Sequence, residues 1–120
     1  MEIKMARGDL YTLPFALFID DVQSELELDE VYFTVKRRYT ERRALLQKKL
    51  TDGGIVSDGH GNYTLTIEPE DTQAMEFGTY DFDIEVVKEA NPAIKRTFVG
   101  TIELTKEVTH HINEGVESGG

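Results

Sequence analysis

The sequence predicts an all-β domain, built as an antiparallel β-sandwich of about seven or eight strands. Two observations indicate this fold class. Apolar residues recur at every second position in several short runs, most clearly over Tyr80–Val86, which puts one strand face in a core and the other in water. Between the runs lie dense clusters of turn-forming residues, such as Asp52-Gly53-Gly54 and Asp58-Gly59-His60-Gly61-Asn62, at spacings that suit a sandwich.

Met1–Met5 is expected to add a short strand. Tyr11–Leu17 is a longer predicted strand, and Pro14 places it at a sheet edge or at a bulge because proline cannot donate to a ladder. The run Ala44–Leu50 permits either a helix capped by Thr40 or a strand, and the strand is favoured.

Three further runs alternate as clearly as Tyr80–Val86 and predict half-buried strands. They are Val31–Lys36, Tyr63–Glu68 and residues 97–104. In the last run Phe98, Gly100, Ile102 and Leu104 are expected to share one face. Gly100 marks either a bulge or a close backbone approach.

Composition limits the class of protein. The chain has 120 residues, enough for one domain, predicted over residues 1–109 with a flexible C-terminal tail over 110–120. Cysteine is absent, so disulfides and thiolate chemistry are excluded. A net charge of −10 argues against nucleic acid and anionic membranes as partners. No signal-peptide pattern or membrane-length apolar run is recognised, so the cytoplasm is the default compartment.

Charge is distributed unevenly along the chain. The segment Lys36–Lys49 carries seven basic residues against the single acid Glu41, a charge of +6, and leaves −16 for the remainder. Such a segment is either a solvated surface or a patch that docks on the acidic body of a neighbouring subunit. The second interpretation predicts an assembly interface, steered by its arginines, at Lys36, Arg37, Arg38, Arg42, Arg43, Lys48 and Lys49.

A turn and a tyrosine resemble a structural corner of immunoglobulin-type domains. In those domains a tyrosine near the start of strand F hydrogen-bonds back across the corner that follows strand E. Pro69-Glu70-Asp71-Thr72 is similar to the corner turn of antibody variable domains, and Gly78 and Tyr80 are similar to the pattern that follows it. Phe82 stands where those domains have a cysteine, and several extra residues separate the turn from the tyrosine. The resemblance implies an immunoglobulin-like sandwich that is not an antibody domain.

The chain as a whole also resembles a family of small phage and prophage proteins of Gram-positive bacteria, related to the N-terminal domain of the baseplate upper protein. The resemblance lies in the order of motifs over about 100 residues: Arg7-Gly8-Asp9, Val31–Lys36, Leu46-Gln47-Lys48, Gly61-Asn62-Tyr63, Pro69-Glu70-Asp71-Thr72, residues 78–84, Gly100 and Glu107-Val108-Thr109. It implies a non-enzymatic role in a tail or baseplate. Other virion proteins or further copies of the chain would be its partners, and it would reside in the virion or, from a prophage, in the bacterial cytoplasm.

Other motifs favour plain structural explanations. Arg7-Gly8-Asp9 matches an adhesion tripeptide but is expected to be a turn, and His110-His111 lacks a third ligand for a metal. The acidic residues of segment 20–30 fit no calcium loop. No catalytic, cofactor or metal site is predicted. The alternative function is binding of carbohydrate or a host cell surface, through the rings expected to point outward, Tyr11, Tyr32 and Tyr39.

Overall fold

The computed structural model describes residues 1–106, and these form an all-β structure with one short helix. The predicted tail over 110–120 and the His110-His111 pair lie outside the described residues. The strands are β1 (Glu2–Ala6), β2 (Tyr11–Ala16), β3 (Phe18–Ile19), β4 (Val22–Gln23), β5 (Glu30–Lys36), β6 (Leu46–Lys49), β7 (Ile55–Ser57), β8 (Asn62–Ile67), β9 (Gly78–Lys88) and β10 (Ile94–Thr105); the helix is α1 (Pro69–Thr72).

A five-stranded sheet has the order β1-β10-β9-β5-β6. Its centre is the antiparallel pair of β9 and β10, in register from Ile94 opposite Lys88 to Leu104 opposite Gly78. The predicted alternation explains β5 and β9, since every second residue of each is buried. The run Ala44–Leu50 contains strand β6, as favoured from the sequence, and β6 lies at the sheet edge.

Strand β1 pairs in parallel with β10, with Glu2 opposite Thr101 and Ala6 opposite Thr105. The expectation of a wholly antiparallel arrangement is therefore wrong for this pair, and the five-stranded sheet is mixed. The short strand itself was predicted. Its direction was not, because the two strands are distant in the sequence and no turn fixes their relation.

The second sheet is antiparallel and has the order β2-β8-β7. Strand β2 lies at its edge, as Pro14 predicts, and pairs with β8 without a bulge. A separate hairpin of β3 and β4 turns at Asp20 and Asp21, which have φ angles of 51° and 65°. Positive φ at both central residues is typical of a two-residue hairpin turn. Neither these two short strands nor β7 was identified from the sequence, so the described residues hold ten strands.

Buried residues of both sheets form one hydrophobic core, with contributions from β1, β5, β7, β8, β9 and β10. Phe33 and Phe82 lie at its centre, with ring centres 5.3 Å apart. At Gly100 a Cβ would lie 2.7 Å from the Phe82 ring and against the Met1 carbonyl oxygen. The pairing with β9 is uninterrupted there. Gly100 therefore marks a close approach and no bulge.

Candidate functional site

The predicted basic segment, Lys36–Lys49, comprises the last residue of β5, the connection that follows it, and β6. We call the connection, residues 37–45, the basic loop. Its ends are fixed because the Leu45 amide donates to the Val35 carbonyl at 2.8 Å and the Tyr39 amide donates to the Asp81 carboxylate at 3.0 Å. The loop is therefore attached to both β5 and β9, and its side chains start from a defined backbone.

Three of the seven predicted interface residues are held by contacts within the molecule. Lys48 Nζ lies 2.7 Å from the Asp71 carboxylate, and both side chains are only 16% exposed. The Arg37 guanidinium lies over the Tyr80 ring at 4.8 Å, and Lys49 Nζ lies 5.9 Å from the centre of the Tyr32 ring. These cations contribute to the stability of the domain and are less available to a partner.

The other loop arginines are free of such contacts. Arg38, Arg42 and Arg43 are exposed, and none forms an ion pair within residues 1–106. Arg38 donates a local hydrogen bond to the Arg37 carbonyl at 3.0 Å. Lys36 is half-buried on the outer face of β5. Of the seven residues of the predicted interface, these three arginines are therefore the exposed ones on the basic loop.

The predicted corner is a compact turn between β8 and β9. Pro69 begins α1, where its missing N–H is not needed, and the Asp71 carboxylate accepts from the Glu68 amide at 2.7 Å. Thr72 is 1% exposed, and its Oγ1 accepts from the Gly8 amide at 2.8 Å. These bonds attach the helix to the turn that follows β1.

After the helix the chain enters β9 at Gly78, whose φ of +135° favours glycine. The hydroxyl of Tyr80, two residues later, donates to the Glu76 carbonyl at 2.6 Å. Because Lys48 contacts Asp71 and Arg37 contacts Tyr80, the corner directly supports both ends of the basic segment. Both sets of residues are recognisable in the sequence, but their contact is not, since the residues that meet lie more than 20 positions apart.

A polar cavity of about 390 Å³ lies on the outer face of β5, β6 and β9, beside the basic loop. Its walls include Tyr32, Lys36, Arg42, Asp83 and Glu85. Burial raises the pKa of Asp83, the Glu85 carboxylate raises it further, and Lys36 opposes the shift. The cavity therefore combines an aromatic ring with cations and carboxylates. The signal for this cavity in the sequence is the set of polar and aromatic residues at the outward-facing positions of the alternating strands β5 and β9.

An apolar groove of about 430 Å³ opens between β2 and β10, lined by residues that include Phe15, Leu28, Tyr63 and Phe98. Phe98 shares its face with Ile102 as predicted, yet it is 44% exposed because the core does not extend over it. Burial raises the pKa of Tyr63, an effect that the Leu28 backbone opposes, and the Tyr63 hydroxyl has no well-formed hydrogen bond in the described part of the chain. Sequence reasoning missed this groove. The neighbouring apolar pair Phe98-Val99, which breaks the alternation, is the signal for it.

The Arg7-Gly8-Asp9 tripeptide is a turn after β1, as expected. Gly8 adopts a φ of +85°, and the Arg7 guanidinium lies 4.2 Å from the centre of the Phe77 ring and donates to the Met75 carbonyl at 3.3 Å. Arg7 is therefore occupied by contacts within the molecule, whereas an adhesion motif would need its arginine free to bind a partner.

Among residues 1–106, no three His, Asp or Glu side chains come together in a way that could hold a metal ion. Two acids of segment 20–30 have structural contacts instead. Asp29 accepts from the Glu89 amide at 2.7 Å and Glu30 from the Thr51 hydroxyl at 2.6 Å. Burial would raise the pKa of Glu30, but hydrogen bonds from Thr51 and Val31 outweigh it and lower the pKa.

Within the described part of the chain, no helix is both long and apolar enough to cross a membrane. Comparison with known proteins finds no matching family model and no matching curated protein.

Proposed function

We propose that this chain is a non-enzymatic structural or assembly protein of a phage or prophage virion, acting in the tail or baseplate through protein–protein contacts. The observation that carries the proposal is the charge segregation around the basic loop. Arg38, Arg42 and Arg43 are exposed on one loop of a chain whose remaining residues outside Lys36–Lys49 carry −16. The partners are other virion proteins or further copies of the chain, and the resemblance described above supports the virion as its location.

The strand order supports an immunoglobulin-like fold for this module. In variable-type immunoglobulin domains, strands G, F, C and C′ form one sheet and strands B, E and D belong to the other. The orders β10-β9-β5-β6 and β2-β8-β7 correspond to these two sets. The hydrogen bond from Tyr80 to the Glu76 carbonyl also corresponds to the tyrosine corner at the start of strand F.

The loop has the composition of a protein-binding surface. Exposed arginines steer an acidic partner into position, and Tyr39 and Leu45, which are 53% and 41% exposed, add apolar area beside them. A patch on one side of the molecule that binds the acidic body of the next copy is a heterologous contact, which generates rings when the rotation closes.

The test is a comparison of molar mass, by size-exclusion chromatography with light scattering, at low and high salt. The variant replaces Arg38, Arg42 and Arg43 by Ser and leaves Arg37 intact, because Arg37 supports Tyr80. The control replaces Lys4, Lys88 and Lys106 by Ser and so removes the same charge elsewhere. We expect the parent and the control to form an oligomer whose molar mass falls as salt rises, and the loop variant to have a lower mass than either at low salt.

Equal assembly of the loop variant and the control, with equal salt dependence, would contradict a role for the basic loop. If the parent does not self-assemble, the same pair of variants is tested against isolated tail or baseplate proteins. Loss of binding in the loop variant alone is again the expected result.

Carbohydrate binding is the second candidate function. The polar cavity favours it, because Tyr32 lies beside hydrogen-bonding and charged groups as in many sugar sites. Of the predicted rings, however, Tyr11 and Tyr32 are half-buried and Tyr39 alone is exposed. Saturable binding of host wall polysaccharide by the monomer, lost in Tyr32→Ala, would favour this function over assembly.

A further inference from the structure

Strand β10 is longer than the strand that covers its outer edge. β1 pairs with Thr101–Thr105, and the Thr101 amide donates to the Met1 carbonyl where β1 begins. The residues before this point pair with β9 on one side only. The N–H and C=O groups of successive residues point to opposite edges of a strand, so every second residue points to the same edge. The backbone groups of Lys95, Thr97 and Val99 therefore point the same way as those of Thr101, toward the uncovered edge.

This edge also exposes apolar side chains. Val99 is 56% exposed on the outer face, and Phe98 is 44% exposed on the inner face above the apolar groove. An exposed strand edge with apolar side chains is a template for another strand. The described residues place no covering chain on it.

We propose that β10 of a second copy of the chain pairs with this edge, antiparallel and symmetric about Thr97. In this register Thr97 lies opposite Thr97, and Lys95 lies opposite Val99 of the second copy. Each of these positions directs its backbone groups outward, so the three pairs form about six hydrogen bonds between the copies. The two five-stranded sheets then become one continuous sheet.

The side chains are compatible with this register. On the inner face Arg96 lies opposite Phe98 of the second copy, where the guanidinium covers the exposed ring. On the outer face each Lys95 meets a valine, so no like charges are directly opposite. The uncovered stretch of β10 is also long enough for this pairing. Ile94, the first residue of β10 in one copy, comes opposite Gly100 of the other, just before the residues that β1 covers.

The contact is distinct from the one proposed for the basic loop. A two-fold axis uses the same surface on both copies and closes at two, whereas a loop that binds the acidic body of the next copy does not. Backbone hydrogen bonds and apolar contact also make this dimer less sensitive to salt than loop-mediated assembly.

The decisive experiment is cross-linking of a Thr97→Cys variant of the full chain, which has no native cysteine. Directly paired residues have Cα atoms about 5.5 Å apart in a hydrogen-bonded pair, within the range that a disulfide spans. Under mild oxidation we expect a covalent dimer of twice the chain mass of 13.6 kDa. The control is Val56→Cys, at an edge position of the second sheet that is 58% exposed. Cross-linking of Thr97→Cys no greater than that of the control would overturn the proposal.

A second measurement avoids cysteine. Val99→Lys places a charge on the edge and should reduce the molar mass from dimer to monomer, whereas Val56→Lys, at matched exposure, should leave the dimer intact. Equal masses for the two variants would overturn the proposal. A monomeric parent that Val99→Lys destabilises more than Val56→Lys would also overturn it, since that result indicates that the chain itself covers the edge. Failure here leaves the basic-loop proposal standing, because its test relies on other residues.

Discussion

The two buried tyrosines of the core differ in the hydrogen bonding of their hydroxyls. Tyr80 and Tyr63 are each 2% exposed, yet the Tyr80 hydroxyl donates to the Glu76 carbonyl while the Tyr63 hydroxyl has no well-formed hydrogen bond among residues 1–106. Tyr80→Phe should therefore lower the free energy of unfolding by about 1 kcal/mol, because it removes the hydrogen bond to the Glu76 carbonyl. Urea denaturation measures the loss.

Tyr63→Phe is the matched control. The Tyr63 hydroxyl has no well-formed hydrogen bond among residues 1–106, so its removal should cost less than removal of the Tyr80 hydroxyl, since the desolvation cost of the buried group disappears with it. Equal losses in the two variants would mean that the hydrogen bond to Glu76 contributes little, and that packing of the ring alone explains the importance of Tyr80.

Between elements, the ion pair of Lys48 and Asp71 links the edge strand β6 to helix α1. A double-mutant cycle with Lys48→Met and Asp71→Asn should give a coupling energy of about 1 kcal/mol, because both side chains are largely shielded from water. The cycle is needed because Asp71 also accepts from the Glu68 amide. The control pair Lys4 and Glu103, 4.0 Å apart with exposures of 70% and 40%, should couple by less than about 0.5 kcal/mol.

The strands that the sequence predicts best are those with one buried face. β5, β8 and β9 alternate because the core takes every second residue, and this local pattern is visible without the fold. The hairpin of β3 and β4 is too short to show a period. The parallel pairing of β1 with β10 depends on contacts about 100 residues apart, so no local pattern could indicate it.

The sequence located the basic segment but not the contacts of its side chains. Charge counting located the basic segment, since charge is additive along the chain. It could not separate Arg42 and Arg43, which are exposed, from Lys48, which is paired with a residue of another element. The exposed edge of β10 was missed for a related reason: Phe98 belongs to an alternating strand, and only the extent of the opposite sheet determines whether it is covered.

At the scale of the whole molecule, a net charge of −10 raises the question of whether acidic residues destabilise the fold collectively or singly. The surroundings of Asp83 indicate that this one carboxylate destabilises the fold by itself. Its pKa is raised by burial and by Glu85, so the folded state holds the proton more tightly than the unfolded state does. The stabilisation that this proton provides is present below the unfolded pKa of about 3.9 and is lost as pH rises through the folded pKa.

Asp83→Asn should therefore increase the free energy of unfolding at pH 7 and have little effect near pH 3, where the carboxyl is protonated in both states. Thermal or urea unfolding across this range measures the difference. Asp9→Asn removes the same unit of net charge at an exposed position that forms no side-chain hydrogen bond in the described part of the chain. If collective repulsion dominates, the two variants stabilise the protein equally at pH 7. A gain confined to Asp83→Asn shows that desolvation of one carboxylate beside Glu85 outweighs the net charge of the molecule.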